Sequence, residues 1–114
     1  MIVLVCGGRD YDRWDHGFMV LDRLHKQRGI TKIIHGGARG ADSLAHQWSL
    51  MRQVTRMVYH ADWDEYGRMA GPMRNQQMLD DGHPDLVVAF PGGKGTHDMI
   101  MRAEKAGVEI YHAE

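Results

Sequence analysis

The chain has 114 residues, which is enough for one domain with a buried core. Of these residues 43% are hydrophobic and 25% are charged, and this composition excludes an intrinsically disordered protein. Its formal net charge of −1 excludes a broad electrostatic attraction to nucleic acid or to acidic membranes. The single cysteine, Cys6, excludes an internal disulfide, and no apolar stretch approaches the about 18 residues of a membrane span. We therefore expect a single domain over residues 1–114, without a signal peptide, in a reducing cytoplasm.

Apolar runs and amphipathic stretches alternate along the whole chain. Short runs rich in Val, Ile and Leu are typical of strands buried on both faces, whereas apolar residues at spacings of three and four indicate helices. In chain order we predict a strand over 2–6, a helix over about 12–28, a strand over 30–35, a helix from about 40 to 51, a strand over 54–59, a helix from Pro72 to about Asp81, a strand over 85–90, a helix capped by Thr96, and a strand over 108–111. Residues 61–71 are expected to be irregular, and the polar pattern of 54–59 places that strand near a sheet edge. Such alternation implies an α/β protein of three α/β/α layers, with a mainly parallel sheet of about five strands.

Three of the predicted strands end in paired glycines. The pairs are Gly7-Gly8, Gly36-Gly37 and Gly92-Gly93, and further glycines follow the last two pairs at Gly40 and Gly95. In a parallel sheet these turns share one edge, where ligands bind at the point at which strand order reverses. Glycine lets backbone amides approach a ligand, and a helix that begins there presents unpaired N–H groups. Tight turns alone would explain one pair, but three converging pairs predict a phosphate site.

Charged and aromatic side chains accompany these turns. The cations near the predicted edge are Arg9, Arg39, Arg74 and Lys94, and an arginine fork can hold a phosphate bidentately, although Lys94 can equally point into solvent. Asp42 and Asp98 fall at predicted helix starts, where a carboxylate either balances the helix dipole or contacts a ligand. Trp63 and Tyr66 can stack on a base or pack in the core. The eight histidines have no metal-binding spacing, so we predict neither a metal site nor a cofactor.

Two common nucleotide motifs are absent from the glycine turns. None carries the Gly-x-x-x-x-Gly-Lys-Ser/Thr of a P-loop, and none carries the Gly-x-Gly-x-x-Gly of a dinucleotide dehydrogenase. Four other motifs occur in order, namely Gly7-Gly-Arg-Asp-Tyr11, His35-Gly-Gly-Ala-Arg-Gly-Ala-Asp42, Gly71-Pro-Met-Arg-Asn75 with Met78, and Pro91-Gly-Gly-Lys-Gly-Thr96. Together they resemble the YspA-like, cpYpsA-related family of the SLOG superfamily, which is named for Smf/DprA and the LOG proteins.

The resemblance covers nearly the whole chain. It implies a Rossmann-like fold and a site for a nucleotide or a nucleotide-derived ligand. With the glycine turns, it predicts ligand-binding residues at Gly7, Gly8, Arg9, Gly36, Gly37, Arg39, Gly40, Asp42, Arg74, Asn75, Pro91, Gly92, Gly93, Gly95 and Thr96. The superfamily includes LOG enzymes, which are phosphoribohydrolases that cleave the base from a cytokinin riboside monophosphate.

One motif departs from the LOG pattern. LOG enzymes have Pro-Gly-Gly-x-Gly-Thr-x-x-Glu and a preceding Arg-Lys-x-x-Met, in which Arg74 here matches the arginine and Asn75 takes the lysine position. Met99 occupies the glutamate position, and a thioether cannot supply the charge that stabilises an oxocarbenium-like state. The adjacent Asp98 would point about 100° away on a helix.

These observations favour binding or sensing of a phosphate-containing nucleotide, or of an ADP-ribose- or NAD-derived ligand. One alternative is a LOG-like N-glycoside hydrolase with Arg74 and Asp98 as catalytic residues, or with Asp10 in place of the glutamate. Another is DprA-like binding of single-stranded DNA, against which the net charge argues. The expected partner is thus a small nucleotide-derived molecule, with no membrane and no nucleic acid. Nine methionines and the dimeric LOG relatives point to a homodimer.

Overall fold

A computed structural model describes residues 1–114 and contains five strands and five α-helices. In chain order the elements are β1 (Ile2–Cys6), α1 (Trp14–Arg28), β2 (Lys32–His35), α2 (Ala41–Met51), β3 (Thr55–Val58), α3 (Trp63–Tyr66), a 3₁₀ turn (Gly67–Met69), α4 (Ala70–Gly82), β4 (Leu86–Ala89), α5 (Lys94–Lys105) and β5 (Glu109–His112). None of the helices is both long enough and apolar enough to cross a membrane.

All five strands are parallel and lie in the order β3-β2-β1-β4-β5. The register pairs Leu4 of β1 with Ile34 of β2 on one side and with Val87 of β4 on the other. The chain first builds outward from β1 to β2 and β3, and then returns to place β4 on the opposite side of β1. The strand order therefore reverses between β1 and β4, which is where α/β sheets of this kind bind ligands.

Helices cover both faces of the sheet, because successive side chains of each strand point to opposite faces. Val3 and Val5 of β1 belong to a core of 15 buried residues beneath α1 and α2. Leu4 and Cys6 belong to a second core of 9 buried residues beneath α4 and α5. The three-layer α/β/α fold with a parallel five-stranded sheet is confirmed, as is the edge position of the strand predicted at 54–59.

Two of the predicted elements differ from those observed. The segment 61–71 is not irregular: the Asp62 side chain accepts a 3.1 Å hydrogen bond from Glu65 N and caps α3. Pro72 lies in the first turn of α4, where its missing N–H costs no hydrogen bond. Thr96 does not cap the last helix, because α5 begins two residues earlier and Thr96 is buried in its first turn.

Candidate functional site

A cleft of about 660 Å³ opens at the carboxyl ends of β1 and β4, where the strand order reverses. We call it the main cleft. Of the predicted site residues it is lined by Gly7, Gly8, Arg9, Asp42, Arg74, Asn75, Gly93, Gly95, Thr96 and Asp98. A neighbouring cavity of about 330 Å³, the side lobe, contains Gly36, Gly37 and Arg39. Arg9, Ala38, Trp63 and Arg74 line both spaces, so the two adjoin.

Several of the predicted glycines serve to pack the turns together. A Cβ on Gly7 would lie 2.9 Å from Phe90 Cβ, and one on Gly8 would lie 3.0 Å from the Pro91 carbonyl oxygen. Gly8 N also donates a 2.9 Å hydrogen bond to that oxygen. Gly40 has a positive φ of 73°, and a Cβ there would lie 2.6 Å from Arg9 O. Close backbone contact therefore explains these glycines, and neither Gly40 nor Pro91 lines the main cleft.

The start of α5 is different, because its glycines have no packing role within the chain. A Cβ on Gly93 or on Gly95 would meet nothing within 4 Å. The amides of residues 94–96 form no hydrogen bond with the chain, and no side chain caps the helix. Lys94, which can point into solvent, lines the main cleft beside them. This turn therefore combines open space, free N–H donors and a cation.

The turn between β2 and α2 has its amides occupied by the chain itself. Asp42 Oδ2 accepts hydrogen bonds from Gly36 N at 3.1 Å and from Ala38 N at 3.2 Å. Gly37 N donates to His35 Nδ1 at 3.0 Å. Burial raises the pKa of Asp42 above its usual value, and the two amides act in the opposite direction. Convergence of the three glycine turns is thus observed, but the amides of the paired glycines and of Ala38 are occupied at the β2–α2 turn, whereas the amides of residues 94–96 are free at the β4–α5 turn.

Arg74 and Asn75, adjacent on α4, connect the two sides of the main cleft. Arg74 Nη1 donates to Gly36 O at 2.6 Å, and its Nη2 has no partner within the chain. Asn75 Nδ2 donates to Gly95 O at 3.2 Å and to Asp98 Oδ2 at 3.0 Å. Burial lowers the pKa of Arg74 from its ordinary value. Arg74 is therefore anchored to the end of β2, while Asn75 holds the first turn of α5 in place.

The acidic residues at this edge differ in their surroundings. Asp98 lines the main cleft and forms a 2.8 Å salt bridge from its Oδ2 to Arg102 Nε, which leaves Oδ1 without a partner in the chain. Met99, at the position of the LOG glutamate, is fully buried in the core beneath α4 and α5. Asp10 is exposed and lies outside the main cleft. Of these three positions, only Asp98 offers a carboxylate to a bound molecule.

The segment from Trp63 to Met69 forms the outer wall of the main cleft. Trp63 is 48% exposed, and the Arg9 guanidinium lies 5.8 Å from its ring centroid. Tyr66 does not line the main cleft, whereas Arg68, which belongs to none of the sequence motifs, does. No sequence signal identifies Arg68, because a residue in a segment expected to be irregular cannot be assigned to a face.

A pair of histidines lies at the end of β2, behind the side lobe. His35 Nε2 and His46 Nδ1 are 2.9 Å apart, and burial lowers the pKa of His35 to about 4. Since His35 Nδ1 accepts a hydrogen bond from Gly37 N, the neutral ring carries its proton on Nε2 and donates it to His46. No group of three or more His, Cys, Asp or Glu side chains is arranged to hold a metal ion.

Comparison with known proteins gives matches of sequence and of fold. The family model YAcAr, described as the YspA, cpYpsA-related SLOG family, matches residues 1–66. The Gene 61 protein of Mycobacterium phage D29 is 40% identical over 121 residues, which cover 96% of this chain and 94% of that protein.

Two solved structures resemble this fold. TM1055 superposes with a TM-score of 0.75 at 22% identity, over 96% of this chain and 71% of that one. DNA processing protein A (DprA) from Streptococcus pneumoniae superposes with a TM-score of 0.56 at 17% identity, over 97% of this chain and 58% of that one. The chain therefore spans less than two thirds of DprA, and at these identities the likeness shows the fold alone.

Proposed function

Because the chain belongs to the YspA, cpYpsA-related SLOG family, we propose that it binds the phosphate of a nucleotide-derived ligand in the main cleft. The first turn of α5 carries this proposal. Its amides are free, Gly93 and Gly95 leave open space above them, and Lys94 adds a positive charge. A helix N-terminus attracts anions through such N–H groups and its dipole. The remaining volume is enough for a nucleoside, which Trp63 can contact by stacking.

Calorimetric titration with AMP, ADP-ribose and NAD tests this proposal. We expect at least one of them to bind, and we expect Lys94→Gln to weaken that binding about tenfold, the value of one charge-assisted contact. Lys105→Gln is the matched control, because Lys105 is exposed on the same helix and does not line the main cleft. Absence of binding by all three nucleotides to the folded protein, or equal losses in the two variants, contradicts the proposal.

Hydrolysis of an N-glycosidic bond is the second candidate function. It is supported by the Oδ1 atoms of Asp98 and Asp42, because both residues line the main cleft and neither atom has a partner in the chain. Glycoside cleavage commonly uses two such carboxyl groups. Chromatography of AMP after incubation would show free adenine with the wild type and with the exposed control Asp81→Asn, but not with Asp98→Asn. If the wild type releases no base, binding without hydrolysis is the function that remains.

We also propose that the chain forms a homodimer. Trp14, Phe18 and Met19 line a shallow groove on α1, and Trp14 and Met19 are 36% and 48% exposed. Exposed apolar side chains grouped among charged residues are typical of an interface, and the groove also contains Asp15, Asp22, Arg23 and Lys26. Light scattering checks the proposal, and a mass of 13.0 kDa at micromolar concentration would exclude the dimer.

A further inference from the structure

The side lobe is lined by basic residues and by no acidic ones. Arg9, Arg39, Arg74 and His60 contribute side chains to it, and no carboxylate does. This contrasts with the chain as a whole, which carries a net charge of −1. A cavity with three guanidinium groups and no counter-charge attracts an anion.

None of these guanidinium groups forms a salt bridge within the chain. The salt bridges of the chain are made by Arg28, Arg52 and Arg102, and none involves an arginine of the side lobe. Asp42, which lines the main cleft, compensates part of this charge, because Arg74 and Arg9 both act to lower its pKa, whereas Arg39 does not act on it. Arg9 and Arg39 are exposed and make no hydrogen bond within the chain. The mutual repulsion of these charges would be relieved by a bound anion.

The side lobe offers an anion fewer free backbone donors than the first turn of α5 does. The amides of Gly36, Gly37 and Ala38, which line it, all donate to Asp42 or to His35. Beside the free amide of Arg39, an anion there is held by guanidinium groups, which favour the planar bidentate geometry of a phosphate or a carboxylate. The two candidate anion sites are therefore chemically distinct.

The topology separates these two sites by more than one strand. The free amides follow β4, whereas the side lobe is built on the residues that follow β2 and β3. Because β1 lies between β4 and β2, the carboxyl ends of β4 and β2 are about 10 Å apart at strand spacings of about 4.8 Å, and Arg9, which follows β1, comes between them. Adjacent phosphates of a pyrophosphate do not span this distance. Trp63 lies where the main cleft and the side lobe meet, so a nucleoside fits between the two anions.

We propose that the ligand is a nucleotide with two phosphate groups separated by a nucleoside, one held at the first turn of α5 and the other by Arg9 and Arg39 in the side lobe. This inference rests on the proposed function and narrows its ligand class. A nucleoside 3′,5′-bisphosphate and a 5′-phosphorylated dinucleotide both have this chemistry. Arg74, which lines both spaces, positions the ligand between them.

Calorimetry with four adenine probes tests the inference: AMP, ADP, adenosine 3′,5′-bisphosphate and the 5′-phosphorylated dinucleotide pApA. We expect the bisphosphate or pApA to bind at least tenfold more tightly than AMP, and ADP to gain much less. Arg39→Gln should abolish the gain, measured as the affinity of each probe relative to that of AMP for the same variant, since Arg39 lines the side lobe and not the main cleft. Arg13→Gln, at an exposed arginine outside both spaces and outside the groove on α1, is the matched control and should leave the gain unchanged.

The outcomes separate this inference from the proposed function. If AMP binds but neither doubly phosphorylated probe gains affinity, the inference is wrong and the phosphate site of α5 stands. If ADP gains as much as the other two, the second anion adjoins the first, and the separated arrangement is wrong. If Arg39→Gln and Arg13→Gln reduce the gain equally, the effect is general charge attraction and the side lobe is not a site. If no probe binds, both proposals fail together.

Discussion

Gly95→Ala should make the protein more stable and a poorer binder, whereas Gly92→Ala should make it less stable. A methyl group on Gly95 meets nothing within 4 Å, and the residue lies inside α5 without a positive φ. Alanine is favoured over glycine in a helix by up to about 1 kcal/mol, so a gain of about 0.5 kcal/mol is expected in the first turn. That gain corresponds to a rise in Tm of about 2 °C for a chain of this size.

The same methyl group should reduce affinity for a nucleotide. It would occupy the open space over the free amides of residues 94–96, which an anion must approach to within hydrogen-bond distance. Loss of one or two such charge-assisted bonds weakens binding by at least about tenfold. At Gly92 the methyl group would instead lie 2.6 Å from Gly8 N and in contact with the Thr96 hydroxyl. Overpacking of this kind costs about 1–3 kcal/mol.

Urea unfolding and nucleotide titration of both variants separate these effects. For Gly95→Ala we expect a higher urea concentration at the unfolding midpoint together with a lower affinity for nucleotide. For Gly92→Ala we expect a lower urea concentration at the midpoint. If Gly95→Ala is as destabilised as Gly92→Ala, the turn is not open as described. If it is stabilised but binds nucleotide as well as the wild type, the first turn of α5 does not hold the anion.

Two further predictions concern buried side chains. Met99→Glu should destabilise the protein by several kcal/mol, because it places a carboxylate in a fully buried position, while Met99→Leu should cost less than about 1.5 kcal/mol. Urea unfolding of both variants measures this difference. A folded Met99→Glu variant that releases adenine from AMP would contradict the placement of this residue in the core. The pKa of His35 is lowered to about 4 in the folded protein, so between about pH 6.5 and 4 the unfolded chain binds a proton at this residue that the folded protein does not. The contribution of His35 to stability is therefore complete above pH 6.5 and falls by about 3 kcal/mol as the pH falls to 4. Asp42, whose pKa is raised, acts in the opposite direction, so the measurement is the difference in pH slope of unfolding between the wild type and His35→Asn, and identical slopes would refute the assignment.

The positions of the strands, and which of them are buried, could be predicted from the sequence because a strand covered on both faces must be apolar throughout. The four residues of β4 are all buried, and they form the clearest apolar run in the chain. The segment from Trp63 to Met69 could not be predicted in the same way. Its residues are all exposed, so no apolar periodicity marks α3, and the Asp62 cap is a local hydrogen bond that composition does not reveal. The contribution of Arg68 to the main cleft was hidden for the same reason.

The edge of the sheet that carries the site was also predictable, but the division of roles among its turns was not. The turns after β2 and β4 both contain paired glycines followed by a cation and a further glycine. They differ at the helix start, because the second residue of α2 is Asp42 whereas the second residue of α5 is Gly95. Only the carboxylate reaches back to satisfy two amides of its own turn, and the positive φ of Gly37 and Gly40 allows the turn to fold that way.

This difference determines how each turn can hold an anion. Where a carboxylate already occupies the backbone donors, a phosphate must be held by side chains, and Arg39 stands at such a turn without a partner. Where no carboxylate stands at this position, the backbone donors stay free, and small residues such as Gly95 keep the approach open. The acceptor within the turn thus competes directly with the acceptor on the ligand for the same N–H groups.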